Sequence, residues 1–476
     1  MQRALLIALV AASYLLFAGG PRWTHGPLLL LAIAGVLAAP RRTLRFPPSW
    51  RRLDAALAAI VLGILIQLMP LPNAVLALVS PHAQEVRRGL RFSTPGSPSP
   101  GWTSLTIDPE ASAYALSTVV LGILSFWIAR ALFAAGGSSR KFCRTVAVFG
   151  AAAALAAMVQ RVAAPTLVLG ILRPDARSAN PLGAFTNRNH FAAWLLMIAM
   201  VACGYLIAHL RIHPAYQQRG RAFLKQFLSS GALPTAASAL ITVGALFMTL
   251  SRSAVAGLGA AAIAGWRMGR PRMQIERTSL PTMFGMAGAA ILMFVMFIDV
   301  DGWAARFEQS LSPGATGFTR TMIWNETLPI IADFPLAGTG AGTYSKAMTP
   351  YQQTRFWVGS MQRYAHFNNA HSHYVQVASE GGLLLTVPAL CALALLWTQG
   401  RRALRSDKGE MFWTRVGAAA GLVGLAVQSI WEVALTMPAN AVLCGVLAGL
   451  LIYKREPGAE PAPTGGPQAA ARARVA

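Results

Sequence analysis

The sequence predicts an all-α polytopic membrane protein with about twelve transmembrane helices and one large external loop. Three observations predict it. Apolar residues make up 55% of the chain and charged residues only 12%, which leaves too little polar surface to clothe a soluble protein of 476 residues. Apolar runs long enough to cross a hydrocarbon layer of about 30 Å recur along the chain. Finally, the net charge of +24 is gathered into alternate connecting segments.

Taken in order, the predicted spans are 4–19, 27–39, 54–72, 111–134, 145–163, 189–210, 234–250, 253–267, 281–299, 379–399, 412–431 and 437–453. The second and eighth are short for a full crossing. The first has the basic start, apolar middle and small-residue end of a secretory signal, but with so many spans behind it, it reads as an uncleaved first helix. The organisation that follows is nine helices over 1–299, the large external loop over 300–378, three more helices over 379–453 and a tail over 454–476. That tail is rich in Pro, Ala and Gly and reads as disordered. No internal repeat is visible.

Charge sets the orientation. Basic stretches such as "PRRTLRFPPSWRR" (40–52), "SSRKFCR" (138–144), "RIHPAYQQRGRAFLKQ" (211–226), "WRMGRPRMQIER" (266–277) and "RRALRSDK" (401–408) all fall on one side, which the positive-inside rule makes the cytoplasm. Both termini then lie inside. The same rule accounts for the basicity without a nucleic-acid partner. Cys203, Cys391 and Cys444 fall in spans and Cys143 in a cytoplasmic loop, so no disulfide is expected to brace the external loops.

The long external segments are 73–110, 164–188 and 300–378. The last contains "FTRTMIWNETLPIIADF" (318–334), which approximates a helix with one apolar face, followed by "PLAGTGAGTY" (335–344). Gly338, Gly340 and Gly342 echo a nucleotide-binding loop, but no strand precedes them, and a structural turn is the better account. Ionisable residues cluster at the outer ends of spans. Arg188 sits in "GAFTNRNHFAAWLL" (183–196) with Asn187, Asn189 and His190; Arg252 sits in "FMTLSRSAVAGLG" (247–259); His371 and His373 sit in "NNAHSHYVQVASEGG" (368–382), with His366 just upstream. An arginine there can simply snorkel to headgroups, and the two asparagines can be helix caps. Yet three such junctions meet at the face that the positive-inside rule depletes of arginine. The span interiors hold almost no ionisable side chains, Gln67 and Gln160 being the main polar ones, which favours surface chemistry over ion-coupled transport.

An external enzyme has no ATP, so the energy of its reaction arrives within the substrate. Lipid diphosphates such as polyprenyl-linked sugars carry a competent leaving group. Arginine pairs bidentately with phosphate and stays charged, and neutral histidine can accept a hydroxyl proton. If a helix began at 371, His371 and His373 would lie about 200° apart around it and could share no ion. On an extended segment they could, with His366 joining them, but external carboxylates are few and no second histidine cluster completes a site, so a metal is the lesser reading and one functional histidine the greater.

The strings "GAFTNRNHFAAWL", "TLSRSAVAGL", "RTMIWNETLPIIADFPLAGTGAGTY" and "AHSHYVQVASEGGLL" together resemble the O-antigen ligase and polymerase superfamily of bacterial envelope glycosyltransferases, over roughly residues 180 to 390. The resemblance implies a helical, GT-C-like glycosyltransferase of the inner membrane, working at the periplasmic face without metal or other cofactor. It implies glycan transfer, with inversion, from undecaprenyl diphosphate to an acceptor hydroxyl, as on lipid A-core. His371 falls on the family's base, and Arg188 and Arg252 on its donor-diphosphate arginines, with Arg320 a further candidate. Asn187, Asn189, His190, His373, Tyr374 and Glu380 fall beside them as supporting residues. A polymerase acting on lipid-linked repeats and a protein O-oligosaccharyltransferase share these motifs, and a lipid-linked glycan transporter is the reading from another class. The acceptor is expected near 73–110 and 343–367.

The orientation is testable without activity. A single cysteine introduced within 345–360 is expected to react with a membrane-impermeant thiol reagent while the inner membrane is intact. Labelling only after that membrane is opened would invert the scheme.

Overall fold

The computed structural model describes all residues except 40–47, 91–100, 135–138, 175–178, 213–226, 229–231, 273–315, 356, 359–362, 408, 410–411 and 455–476. The predicted span 281–299 and nearly all of the predicted tail lie outside the described residues. Every other predicted span contains a helix. These are α1 (Gln2–Leu15), α2 (His25–Leu37), α3 (Pro48–Leu68), α6 (Pro109–Ala134), α7 (Ser139–Ala163), α8 (Arg188–Ile212), α9 (Ala232–Met248), α10 (Arg252–Gly269), α13 (His373–Ser406), α14 (Phe412–Gln428) and α15 (Pro438–Ile452). Between them lie four further helices: α4 (Asn73–Val79), α5 (Pro81–Leu90), α11 (Thr316–Asp333) and α12 (Tyr344–Met348). Among the described residues, four helices are long and apolar enough to cross a membrane, α6, α7, α8 and α13, and several shorter ones are strongly apolar. The chain is a multi-pass membrane protein by this measure.

Two boundaries depart from the hydropathy pattern for physical reasons. The predicted third span ran to residue 72, but α3 ends at Leu68. Pro70 and Pro72 have no amide hydrogen to continue a helix, and Pro70–Pro72 (β1) pairs antiparallel with Trp102–Ser104 (β2). At the other extreme, α13 begins at His373, six residues before the predicted 379. Its first turns carry Gln376, Ser379 and Glu380, all buried by protein, so the helix needs no apolar surface there. Ser372 caps it, accepting from the Val375 amide at 3.5 Å.

The bundle packs around α8. Residues from Phe191 to Ala199 are fully buried, as expected of a helix that is apolar on every side. Its neighbour α14 reaches it through small residues. A side chain at Gly204 would come within 2.9 Å of Gly417, and one at Gly257 of α10 within 3.3 Å of Gln428. The pair Gly417 and Gly421 thus serves as a small-xxx-small seam. Gly445 and Gly449 of α15 do the same against the backbone of α6 at Gly122 and Phe126. Close backbone approach fixes these helices lengthwise, so residues at their ends hold a defined register.

A second apolar core gathers Leu76, Val86 and Ile107, from the segment between α3 and α6, with Ile323, Ile330, Phe334, Tyr344, Met348 and Phe367, from the segment before α13. Its foundation is the turn 335–343. Glu380 accepts from the Gly342 and Tyr344 amides at 2.8 and 3.1 Å, and the Gly340 amide donates to the Glu380 carbonyl at 2.9 Å. Gln67 of α3 donates to the carbonyls of Ala337 and Glu380 and accepts from the Ala341 amide. Gly340 adopts φ +113° with its Cα against Thr106, and Gly338 meets the Glu380 backbone. The three glycines therefore serve close backbone packing, the structural turn expected from the sequence, and helix α12 follows at once.

Gly340→Ala places a methyl group into Thr106 at a backbone conformation that alanine rarely adopts. We expect a loss on the order of 2 kcal/mol or more, read as a fall in the thermal unfolding midpoint in detergent. An unchanged midpoint would show that the turn is not under this constraint.

Candidate active site

Three helix starts and one helix end meet at a single end of the bundle. Helix α8 starts at Arg188, with Asn187 as its cap: the Asn187 Oδ1 accepts from the Asn189 amide at 2.8 Å. Asn189, the other asparagine that the sequence offers as a cap, does something else. Its Nδ2 donates at 2.7 Å to the carboxylate of Glu432, which lies between α14 and α15. His190 Nε2 lies 3.4 Å from the other oxygen of the same carboxylate, which also accepts from the Val433 amide at 3.1 Å. Gln428 donates to the Asn189 carbonyl, and Asn440 to the carbonyls of His190 and Ala434. The start of α8 is thus laced to both helices that flank Glu432.

The segment carrying His371 is pinned to the same place. The His373 amide donates to the Ser429 carbonyl at 2.9 Å, and the Tyr374 hydroxyl to that of Ala426 at 2.9 Å, fastening the start of α13 to the end of α14. From α11, Trp324 donates its indole N–H to the Ala370 carbonyl at 2.8 Å. His371 itself lies just outside the helix with φ +48°, a left-handed backbone uncommon for a residue with a side chain. The Asn369 side chain accepts from its amide at 3.1 Å. Such a conformation persists where the surroundings fix it, and here three elements do.

Electrostatics joins these parts. Burial holds the imidazole of His371 below its usual pKa of 6.5; the Glu432 carboxylate raises it, while Arg320 and His190 lower it. Burial also disfavours charge on Arg320, with Glu432 opposing that effect and the nearby Arg252 adding to it. For Glu432, burial raises the pKa, but His190, His371 and the Val433 amide outweigh it and bring the carboxyl down to about 2. A fully buried carboxylate costs several kcal/mol of lost hydration, which these partners must return. The ring Nδ1 atoms of His190, His371 and His373 are buried without hydrogen-bond partners. At a site built for a ligand, such atoms face what is to bind.

The sequence-predicted residues divide accordingly. His371, Arg320, Arg252, His190 and Asn189 are brought together, and Arg188 opens α8 two residues before His190 with its side chain half-buried. Arg252 opens α10 just after Leu250, which has φ +55°. Behind it, Arg161 donates to the Met248 carbonyl at 3.0 Å and closes the end of α9. Tyr374 and Glu380 serve structure, the first bonding to α14 and the second bonding the glycine turn. Among the described residues, no three His, Cys, Asp or Glu side chains form a metal-binding group.

Glu432 was not singled out from the sequence. Its signal was there: a carboxylate in "SIWEVALTMP" (429–438), a short apolar connection between two spans, where an acid must find partners.

With two arginines, two imidazoles and one carboxylate, the cluster is net cationic, and the positive ends of α8, α10 and α13 add to it. It suits an anion such as a diphosphate, next to a neutral imidazole able to take a proton. Residues 237–390 match the family model described as O-antigen ligase, a stretch that includes Arg252, Arg320 and His371 and leaves Arg188 to His190 and Glu432 outside. No curated protein matches the chain.

Because Glu432 raises the pKa of His371, its removal lowers it. In a sample labelled at histidine, NMR titration is expected to place His371 below 6.5 and, in Glu432→Gln, lower still. An upward shift would show that the carboxylate does not act on His371.

Proposed function

We propose that this chain, whose residues 237–390 match the family model described as O-antigen ligase, transfers glycan from undecaprenyl diphosphate to a hydroxyl of lipid A-core at the periplasmic face of the inner membrane. The observation that carries this reading is the meeting of a buried, base-form His371 with Arg320, Arg252, His190 and Glu432 at one end of the bundle.

In the reaction, the acceptor oxygen attacks the anomeric carbon from the face opposite the diphosphate, so configuration inverts. His371 takes the hydroxyl proton as the new carbon–oxygen bond forms. The bond from the anomeric carbon to the phosphate oxygen breaks, and undecaprenyl diphosphate leaves with both bonding electrons. Arg188, Arg252 and Arg320 hold that diphosphate and oppose the charge it gains. Glu432 then faces an imidazolium instead of an imidazole, which favours the proton's arrival. No metal is required, because the guanidinium groups perform the charge neutralisation.

The test uses purified protein, an undecaprenyl diphosphate glycan, and EDTA, with and without lipid A-core, with products identified by mass. Glycan on lipid A-core is the expected product. A ladder of longer lipid-linked glycan would make the protein a polymerase, and transfer only to protein acceptors an oligosaccharyltransferase. His371→Ala should abolish transfer. Arg188→Lys and Arg252→Lys should each lower it about tenfold or more, about 1.4 kcal/mol in barrier height, because charge survives but the bidentate fork does not. Full turnover in His371→Ala would remove it as the base. Export of donor unchanged in that variant, with no transfer by the wild type, would point to a transporter.

A further inference from the structure

His366 belongs to the same histidine-rich stretch as His371, yet it takes no part in the charged cluster. It lies on an extended strip, residues 364–370, that leads into His371. Side chains along the strip divide sharply. Phe367 and Ala370 are buried in the outer core, while Tyr364, His366 and Asn368 face outward, Tyr364 at 57% exposure.

The backbone of this strip is held as tightly as a strand. Gln352 donates to the Ala365 carbonyl at 2.8 Å and accepts from the Phe367 amide at 3.0 Å. Trp324 and Gln376 take the carbonyl and the amide of Ala370. The outward side chains are also set in place. Ser345 of α12 donates to the Asn368 Oδ1 at 3.2 Å, and the Ser345 carbonyl lies 2.8 Å from His366 Nε2. These bonds use one polar atom of each planar group, the Asn368 Oδ1 and the His366 Nε2, and both residues are exposed.

A fixed row of planar polar groups beside an exposed aromatic ring is the chemistry that recognises a saccharide. Planar amides and imidazoles engage hydroxyls in pairs, and an aromatic face covers the apolar side of a pyranose ring. His371 follows His366 by five positions, a reach of at most about 18 Å, so a ligand of a few sugars on the strip can extend to the histidine.

We infer that Tyr364, His366 and Asn368, ordered by Ser345, form the subsite that binds the sugars of the acceptor and delivers its hydroxyl to His371. The inference rests on the glycosyl-transfer reading above for the final delivery, but not for the binding of saccharide. A rigid strip costs little entropy when it binds, which is the advantage of fixing it beforehand.

The test separates the two. Core oligosaccharide freed from lipid A is added to the full-length protein in detergent and binding is followed by saturation-transfer difference NMR, for the wild type and for Tyr364→Ala with Asn368→Ala. In parallel, transfer is measured against acceptor and against donor concentration. The double variant is expected to lose the saturation-transfer signal and to show an acceptor KM raised at least tenfold, with kcat and donor KM within about twofold. Ser345→Ala, which frees the Asn368 side chain and leaves the backbone carbonyl at 345 to hold His366, should show a smaller rise of the same kind. Wild-type binding that survives intact in the double variant, or an acceptor KM within twofold of wild type, overturns the subsite. Binding lost in the variant while the wild type transfers nothing leaves the subsite standing and sinks the transfer reading; no binding by the wild type, with donor turnover normal in all forms, sinks the subsite alone.

Discussion

The burial of one carboxylate, Glu432, is the constraint around which the site is organised. A charged oxygen pair withdrawn from water must recover its hydration from the protein. It does so through Asn189 and His190 from α8 and the Val433 amide from its own chain. The partners come from two stretches of sequence, the start of α8 and the connection between α14 and α15, so satisfying the charge fixes one against the other. The carboxylate also acts on His371 and Arg320, which come from the outer segments. A structural necessity and an electrostatic one are met by the same atoms.

The segments between α3 and α6 and before α13 face a different problem. With no disulfide among the described cysteines, their small apolar core needs an anchor on the bundle. The glycine turn supplies it by backbone contact with α13, and Gln67 supplies it from α3. A polar side chain near the end of an apolar helix is costly unless its bonds are made, and Gln67 makes two to the turn and one to the Glu380 carbonyl of α13. The arrangement transfers rigidity from the bundle to the strip and the loop that carry His366 and His371.

Much of this was legible in the sequence, and for identifiable reasons. Apolar runs mark the helices because a bilayer demands them, and the polar junctions at Arg188, Arg252 and His371 stood out because they interrupt such runs. The glycines of 338–342 could be seen as a turn. What they turn against could not, because Thr106 and Glu380 are distant in sequence. Hydropathy misplaced the start of α13 because it assumes that a helix in such a protein faces lipid, whereas Gln376, Ser379 and Glu380 face protein. It carried α3 past Leu68 because proline counts as mildly apolar to an average but ends a helix by its missing amide. Asn187 and Asn189 look alike in sequence; only the approach of Glu432 separates a cap from a carboxylate partner. Glu432 itself stayed unnoticed because its context is apolar and short, and its side-chain partners Asn189 and His190 lie over 240 residues away.

Helix α13 is not one mechanical rod. Gly382 breaks it with φ +52° and ψ −153°, and Pro388 follows inside the next turns. The portion before the break is bonded to the glycine turn, to α14 and to the strip; the portion after it carries the exposed apolar side chains Leu383, Val387, Leu390 and Trp397 that face outward from the bundle. A bilayer that thickens or thins asks a spanning helix to change its tilt. A break at Gly382 gives such an adjustment a place to be made without turning the end of the helix that follows the histidine.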